Sequence, residues 1–174
     1  VPNKAWKMAK LGKPWRPGET IVASIGQSYT QATPLQLAVM TSRFVNGGFA
    51  VKPWLVGYVG DQLSFQTKWP SMNLNKNHLK MIKRGMDRAV DDEDGTAYES
   101  QIEEKKWRMG GKPGTAQVKR ISARERALGI RAGDDEWKYR HHALFVGYAP
   151  IDKPRYVCSV VVEHGGSGSA SAAP

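Results

Sequence analysis

Residues 110–118 place a cation, flexible backbone and a hydroxyl at the start of a strand-like run: Gly110, Gly111, Lys112, Pro113, Gly114, Thr115, Ala116, Gln117 and Val118. Such a run can hold an anionic group against exposed backbone amides, with Lys112 supplying charge and Thr115 supplying direction. Glycine at 111 and 114 removes the side chains that would keep a second backbone away, so a peptide could lie alongside as an added strand. The same residues also fit a solvated hairpin edge, because lysine beside glycine and threonine is common in surface loops.

The elements around this run follow from periodicity and punctuation. Pro2, Pro14 and Pro17 with Trp6 and Trp15 predict an extended entry loop packed by its tryptophans, rather than a long helix. Thr33 is placed to cap a helix that starts at Pro34, with Gln36 completing a capping box. Leu37, Met40, Thr41, Phe44 and Val45 share its apolar face, and Asn46, Gly47 and Gly48 end it. Before it, residues 24–27 are a lead-in to the helix or the border of a groove. Residues 49–59 predict a short strand or hairpin around Pro53.

A second helix is predicted over 74–90, with Asn73 as a possible cap and Leu79, Ile82, Met86, Ala89 and Val90 as its stripe. The acidic residues at 91–94 read as a solvated loop. After the lysine run and a basic connection over 120–140, strands are predicted at 142–149 and 156–163. Val157 to Val162 is apolar at nearly every position, which suits a central strand covered on both faces. Gly165 to Pro174 has the composition of a flexible linker.

With 174 residues and 40% hydrophobic composition, the chain has the length of one domain with a real core. No apolar run approaches the roughly 20 residues that span a bilayer, and residues 1–6 lack a signal-peptide core, so a membrane anchor is expected outside this chain. The net charge of +10 favours anionic partners, but the basic residues are scattered and no nucleic-acid-binding motif appears. Cys158 is the sole cysteine and reads as a small buried core residue without a base to activate it. His141, His142 and His164 lack metal-ligand spacing, and Glu163 and His164 point to opposite faces of a strand. No metal or cofactor is expected.

Lys112, Pro113 and Gly114 resemble the lysine, threonine-or-serine, glycine motif of penicillin-binding proteins and serine β-lactamases. Residues 24–27 (SIGQ) leading into 32–38 (ATPLQLA), then 142–150 (HALFVGYAP) and 160–166 (VVVEHGG), extend the likeness. In this order and at these separations they resemble the C-terminal part of the transpeptidase domain of class B penicillin-binding proteins, most nearly the penicillin-binding protein 2 branch. Residues 57–71 and 121–138 match least. The Ser71, Met72, Asn73 triplet spells another motif of that family but falls in the wrong order, between the first helix and the lysine run.

The resemblance implies an α/β (α+β) fold, an antiparallel sheet flanked by helices, of which residues 1–174 are a C-terminal portion. It implies peptidoglycan D,D-transpeptidation by serine acyl transfer, with stem peptides and β-lactams as ligands. Cell-wall elongation proteins are implied partners, and the periplasmic face of the bacterial inner membrane is the implied location of the full-length protein. By the same resemblance Lys112 and Thr115 are catalytic, the latter through an oxyanion-hole amide, and Lys112, Gly114, Thr115 and Gln117 bind substrate.

No serine in the chain has lysine three positions later, so the nucleophile is expected outside it, as is the family's last helix. Pro113 departs from the motif, losing a hydroxyl and an amide hydrogen. Two other readings stay open: a non-catalytic cell-wall peptide-binding or scaffold module, and a β-lactamase or D,D-carboxypeptidase.

Overall fold

The computed structural model describes residues 2–118, 122, 124, 127–129 and 136–174. Most of the basic connection over 120–140 lies outside them. The chain forms two compact units, one ending at Thr33 and the other comprising Pro34–Pro174.

In the first unit the predicted extended loop is instead two helices, α1 (Lys4–Leu11) and α2 (Pro17–Ser24). The prolines bracket the helices rather than preventing them. Asn3, just after Pro2, accepts the Trp6 N–H at 2.8 Å and caps α1, while Gly12 ends it in the left-handed conformation. Pro17 occupies the first turn of α2, where a missing N–H costs nothing. Residues 24–27 are the end of α2 and its exit turn, not a helix lead-in. Trp6 and Trp15 pack on Tyr29, with ring centroids 5.4 and 6.3 Å away.

The unit is tied together by Lys7, which is only 4% exposed. Its ammonium donates to both carboxylate oxygens of Glu19, at 2.5 and 2.7 Å, and to the Pro14 carbonyl at 2.8 Å. Glu19 also accepts from the Arg16 N–H at 2.6 Å and the Tyr29 hydroxyl at 3.2 Å.

The larger unit begins with α3 (Pro34–Val45), on the predicted boundaries. Met40, assigned to its apolar face, is 43% exposed, whereas Thr41 is buried. Gly48, at φ 87°, turns the chain where α3 meets the next helix, and a methyl there would lie 3.2 Å from Leu79. The predicted hairpin lies further along than Pro53: β1 (Tyr58–Val59) pairs with β2 (Gln62–Leu63). Ser71 bridges to Phe49, and the Met72 N–H donates to the Gly48 carbonyl at 2.8 Å. The Ser71 to Asn73 triplet is thus taken up in closing this excursion.

The second helix, α4 (Lys76–Asp91), is capped by Asn75, which accepts the Asn77 N–H, rather than by Asn73. Leu79, Met86 and Val90 are buried, but Ile82 is 42% exposed. The acidic residues that follow are not simply solvated: Asp91 pairs with Arg108, and Asp92 with Arg88.

Beyond α4, β3 (Gly110–Ala116), β4 (His142–Ala149) and β5 (Tyr156–Val162) form an antiparallel sheet in that order. The central strand is therefore β4, not β5 as its apolar run suggested. Alternate residues of β5 are exposed, and Cys158 is among the exposed ones, not a core residue. The physical reason is placement: a Val-rich run is compatible with a central strand, but which strands pair its edges and which elements cover its faces are set by the rest of the fold. Residues 165–174 are likewise not a loose linker. They contain the short helix α5 (Gly168–Ser171), and Ala172 and Ala173 join Val90, Ala97, Ala143 and Phe145 in one core cluster.

A second cluster holds Met86, Tyr148 and Ile151. There the Tyr148 hydroxyl donates to Oδ1 of Asp87, whose Oδ2 accepts from Lys83 at 3.0 Å. Burial first, and then the adjacent carboxylate, push the phenol well above the ordinary tyrosine range, so it remains a donor.

The Glu19 carboxyl is held below its usual value of 4.5, chiefly by the Arg16 N–H and then by Lys7. A depressed carboxyl contributes stability that is present above the unfolded value and lost as pH falls through the folded one. The melting temperature of the protein should therefore fall on acidification below about pH 4.5, and Glu19→Gln should reduce that acid-side slope.

Candidate functional site

The site predicted from the lysine run is the outer edge of β3. In register, Lys112 opposes Val146, Pro113 opposes Phe145, Gly114 opposes Leu144 and Thr115 opposes Ala143. On its other side no described strand pairs with β3. Lys112 and Thr115 are exposed, Pro113 and Gly114 half-buried, and Gln117 lies exposed just past the strand's end. The Lys112 ammonium donates to the Pro113 carbonyl at 2.7 Å.

Pro113 shows which backbone groups face outward. Lacking an N–H, it fits a sheet without loss only where its nitrogen points to the open side of an edge strand. Residues two apart in an antiparallel strand direct their backbone groups to the same side. The Thr115 N–H accordingly points to the open edge.

The two glycines read as giving access differ in what they do. A methyl on Gly114 would meet only Leu144, at 3.7 Å, so this backbone is open. A methyl on Gly111 would fall 2.2 Å from the Phe145 ring. Gly111 is therefore buried for core packing and does not open the strand to a ligand.

Gly168, in the tail read as a linker, backs the site. A methyl there would lie 2.3 Å from the Gly114 carbonyl oxygen and 2.4 Å from that of Leu144. Only glycine permits this approach, and the composition of residues 165–174 concealed it among other small residues.

Histidines cluster at the far end of the strand. His141, 8% exposed, accepts the Val118 N–H on Nδ1 at 3.3 Å. His142 Nδ1 accepts the His164 N–H at 3.0 Å, and those two rings lie 4.7 Å apart. Two of the three imidazoles are thus engaged as backbone acceptors. A concavity of about 460 Å³ lined by Val51, Trp54, Phe65 and Trp69 contains none of the motif residues.

An antiparallel sheet whose edge strand is open, cationic and glycine-containing, packed against helices, defines an α+β domain. The sequence matches the penicillin binding protein transpeptidase domain over residues 7–174, and the chain belongs to that family. It is 36% identical over 179 residues to the peptidoglycan D,D-transpeptidase MrdA of Haemophilus influenzae, covering all of this chain and 27% of that protein. The MrdA of Acinetobacter baumannii is also 36% identical, over 181 residues, covering 99% and 26%.

Among solved structures, Pseudomonas aeruginosa PBP2 in complex with WCK 5153 is 35% identical with a TM-score of 0.80, covering all of this chain and 35% of that one. Helicobacter pylori PBP2 in complex with MreC is 31% identical with a TM-score of 0.73, covering 97% and 28%. The chain spans about a quarter of the length of the curated relatives it matches.

Gly168→Ala should force β3 and β4 apart at Gly114, since the clashing atoms are backbone and cannot rotate away. A loss of about 1 to 3 kcal/mol, the range for overpacking, is expected in denaturant unfolding, where Gly114→Ala should cost less.

Proposed function

We propose that the open edge of β3 is the substrate side of a peptidoglycan D,D-transpeptidase site completed by groups outside this chain. The observation that carries the reading is the exposed Lys112 and Thr115 on a strand edge whose partner side is fully paired. Membership of the transpeptidase family supplies the reaction class.

In this reading a stem peptide lies along β3 as an added strand, with the open backbone at Gly114 letting it approach. Its terminal carboxylate, or that of a β-lactam, is held by the Lys112 ammonium and the Thr115 hydroxyl. The outward N–H of Thr115 donates to the oxygen of the carbonyl under attack. As that carbonyl becomes tetrahedral its charge grows, and one such donor contributes roughly 3 to 4 kcal/mol to the transition state. Gln117 contacts the peptide further along. The attacking serine is supplied by the whole protein, which acts at the periplasmic face of the inner membrane. The complex of a similar PBP2 with MreC supports a cell-wall elongation partner for it.

Pro113 stands where the family motif carries threonine or serine. Its missing hydroxyl removes one hydrogen bond to a charged ligand, an interaction worth about 1.5 to 3 kcal/mol. In the full-length protein, Pro113→Thr should therefore raise the rate of acylation by penicillin at least about tenfold, measured by intact mass against time. Unchanged acylation would remove this account of Pro113.

Lys112→Ala in the same protein should slow acylation by about tenfold or more while leaving the melting temperature within about 2 °C, because the side chain is exposed. Stem-peptide binding without any covalent adduct would instead select the non-catalytic binding module.

A further inference from the structure

Among the contacts that hold the part of β3 carrying the proposed ligand groups, three lie at its middle and exit, and one residue joins two of them. Gly168 presses on the Gly114 backbone from behind. Ala116 is paired with His142. Past the strand's end, the Val118 N–H is taken by Nδ1 of His141 at 3.3 Å. The main-chain carbonyl of His141 also accepts the Gly166 N–H at 2.8 Å, in the turn that delivers Gly168. His141 therefore connects the exit of β3 to the loop that supports its middle.

We propose that His141 is a positioning residue for the substrate strand: its imidazole, as an acceptor, fixes the exit of β3 and so the placement of Thr115 and Gln117. The proposal rests on the transpeptidase reading above. Its physical basis is the steep dependence of acyl transfer on alignment, where displacement of a strand by a fraction of an ångström changes the distance from the Thr115 N–H to the oxyanion. The imidazole reaches the strand through the Val118 N–H, and it acts through that residue.

Asparagine offers an acceptor oxygen at the same bond separation from Cα as Nδ1, whereas leucine offers the same branching with none. In the full-length protein, His141→Leu should speed hydrogen exchange of the Val118 amide about tenfold and slow acylation by penicillin by a similar factor. His141→Asn should restore both to within about threefold.

Exchange at Val118 reads the contact without any activity, so it separates this inference from the reading beneath it. Unchanged exchange in His141→Leu would overturn the contact. Faster exchange with wild-type acylation would overturn the positioning role, as would an asparagine variant as slow as the leucine one. A protein in which Lys112→Ala also leaves acylation unchanged would place the failure in the transpeptidase reading instead.

Discussion

The pairing of β3 with β4 over seven residues, from Gly110 opposite Tyr148 to Ala116 opposite His142, is the constraint on which the larger unit depends. It fixes which side of β3 is satisfied and which is left open. A one-residue slip would turn Lys112 and Thr115 to opposite faces from those they now occupy and put the Phe145 ring out of line with Gly111. Pro113 is compatible with this register because an edge strand needs only alternate N–H groups on its paired side.

The register is enforced from behind by residues with little or no side chain. Gly111 makes room for Phe145, and Gly168 allows the tail to reach the backbone at Gly114. Ala143, Ala172 and Ala173 complete that layer. At the other end, α4 is joined to the sheet by the bond from Tyr148 to Asp87, a polar link beside the apolar contact with Met86 and Ile151, with Lys83 over the Tyr148 ring. Burying Tyr148 and Phe145 each contributes about 1.5 to 3 kcal/mol, and the Asp87 bond gives that burial a direction.

The first unit is organised on a different principle, with two short helices and few buried apolar residues. Its centre is the Lys7 ammonium, fully donated to Glu19 and the Pro14 carbonyl. A buried cation is tolerated because all three of its hydrogens find oxygen. Here a charged network takes the place of an apolar core, and the tryptophans shield it through Tyr29.

The order of elements in the larger unit was legible in the sequence because it rests on local signals. Pro34 and the paired glycines at 47 and 48 mark α3, the stripe from Leu79 to Val90 marks α4, and period-two or β-branched runs mark β4 and β5. The cation, glycine and hydroxyl of β3 and the family resemblance also come from residue types and spacing alone. What only the tertiary structure decided depends on partners distant in the chain. That β5 is half-exposed, that Cys158 is open, that Gly111 serves Phe145 and that the small-residue tail backs Gly114 all follow from register and packing. Lys7 and Glu19, Asp87 and Tyr148, and His141 and Val118 carry no local mark of their pairing. Hydrogen bonds between residues far apart in sequence exist only once the backbone has brought them within about 3 Å.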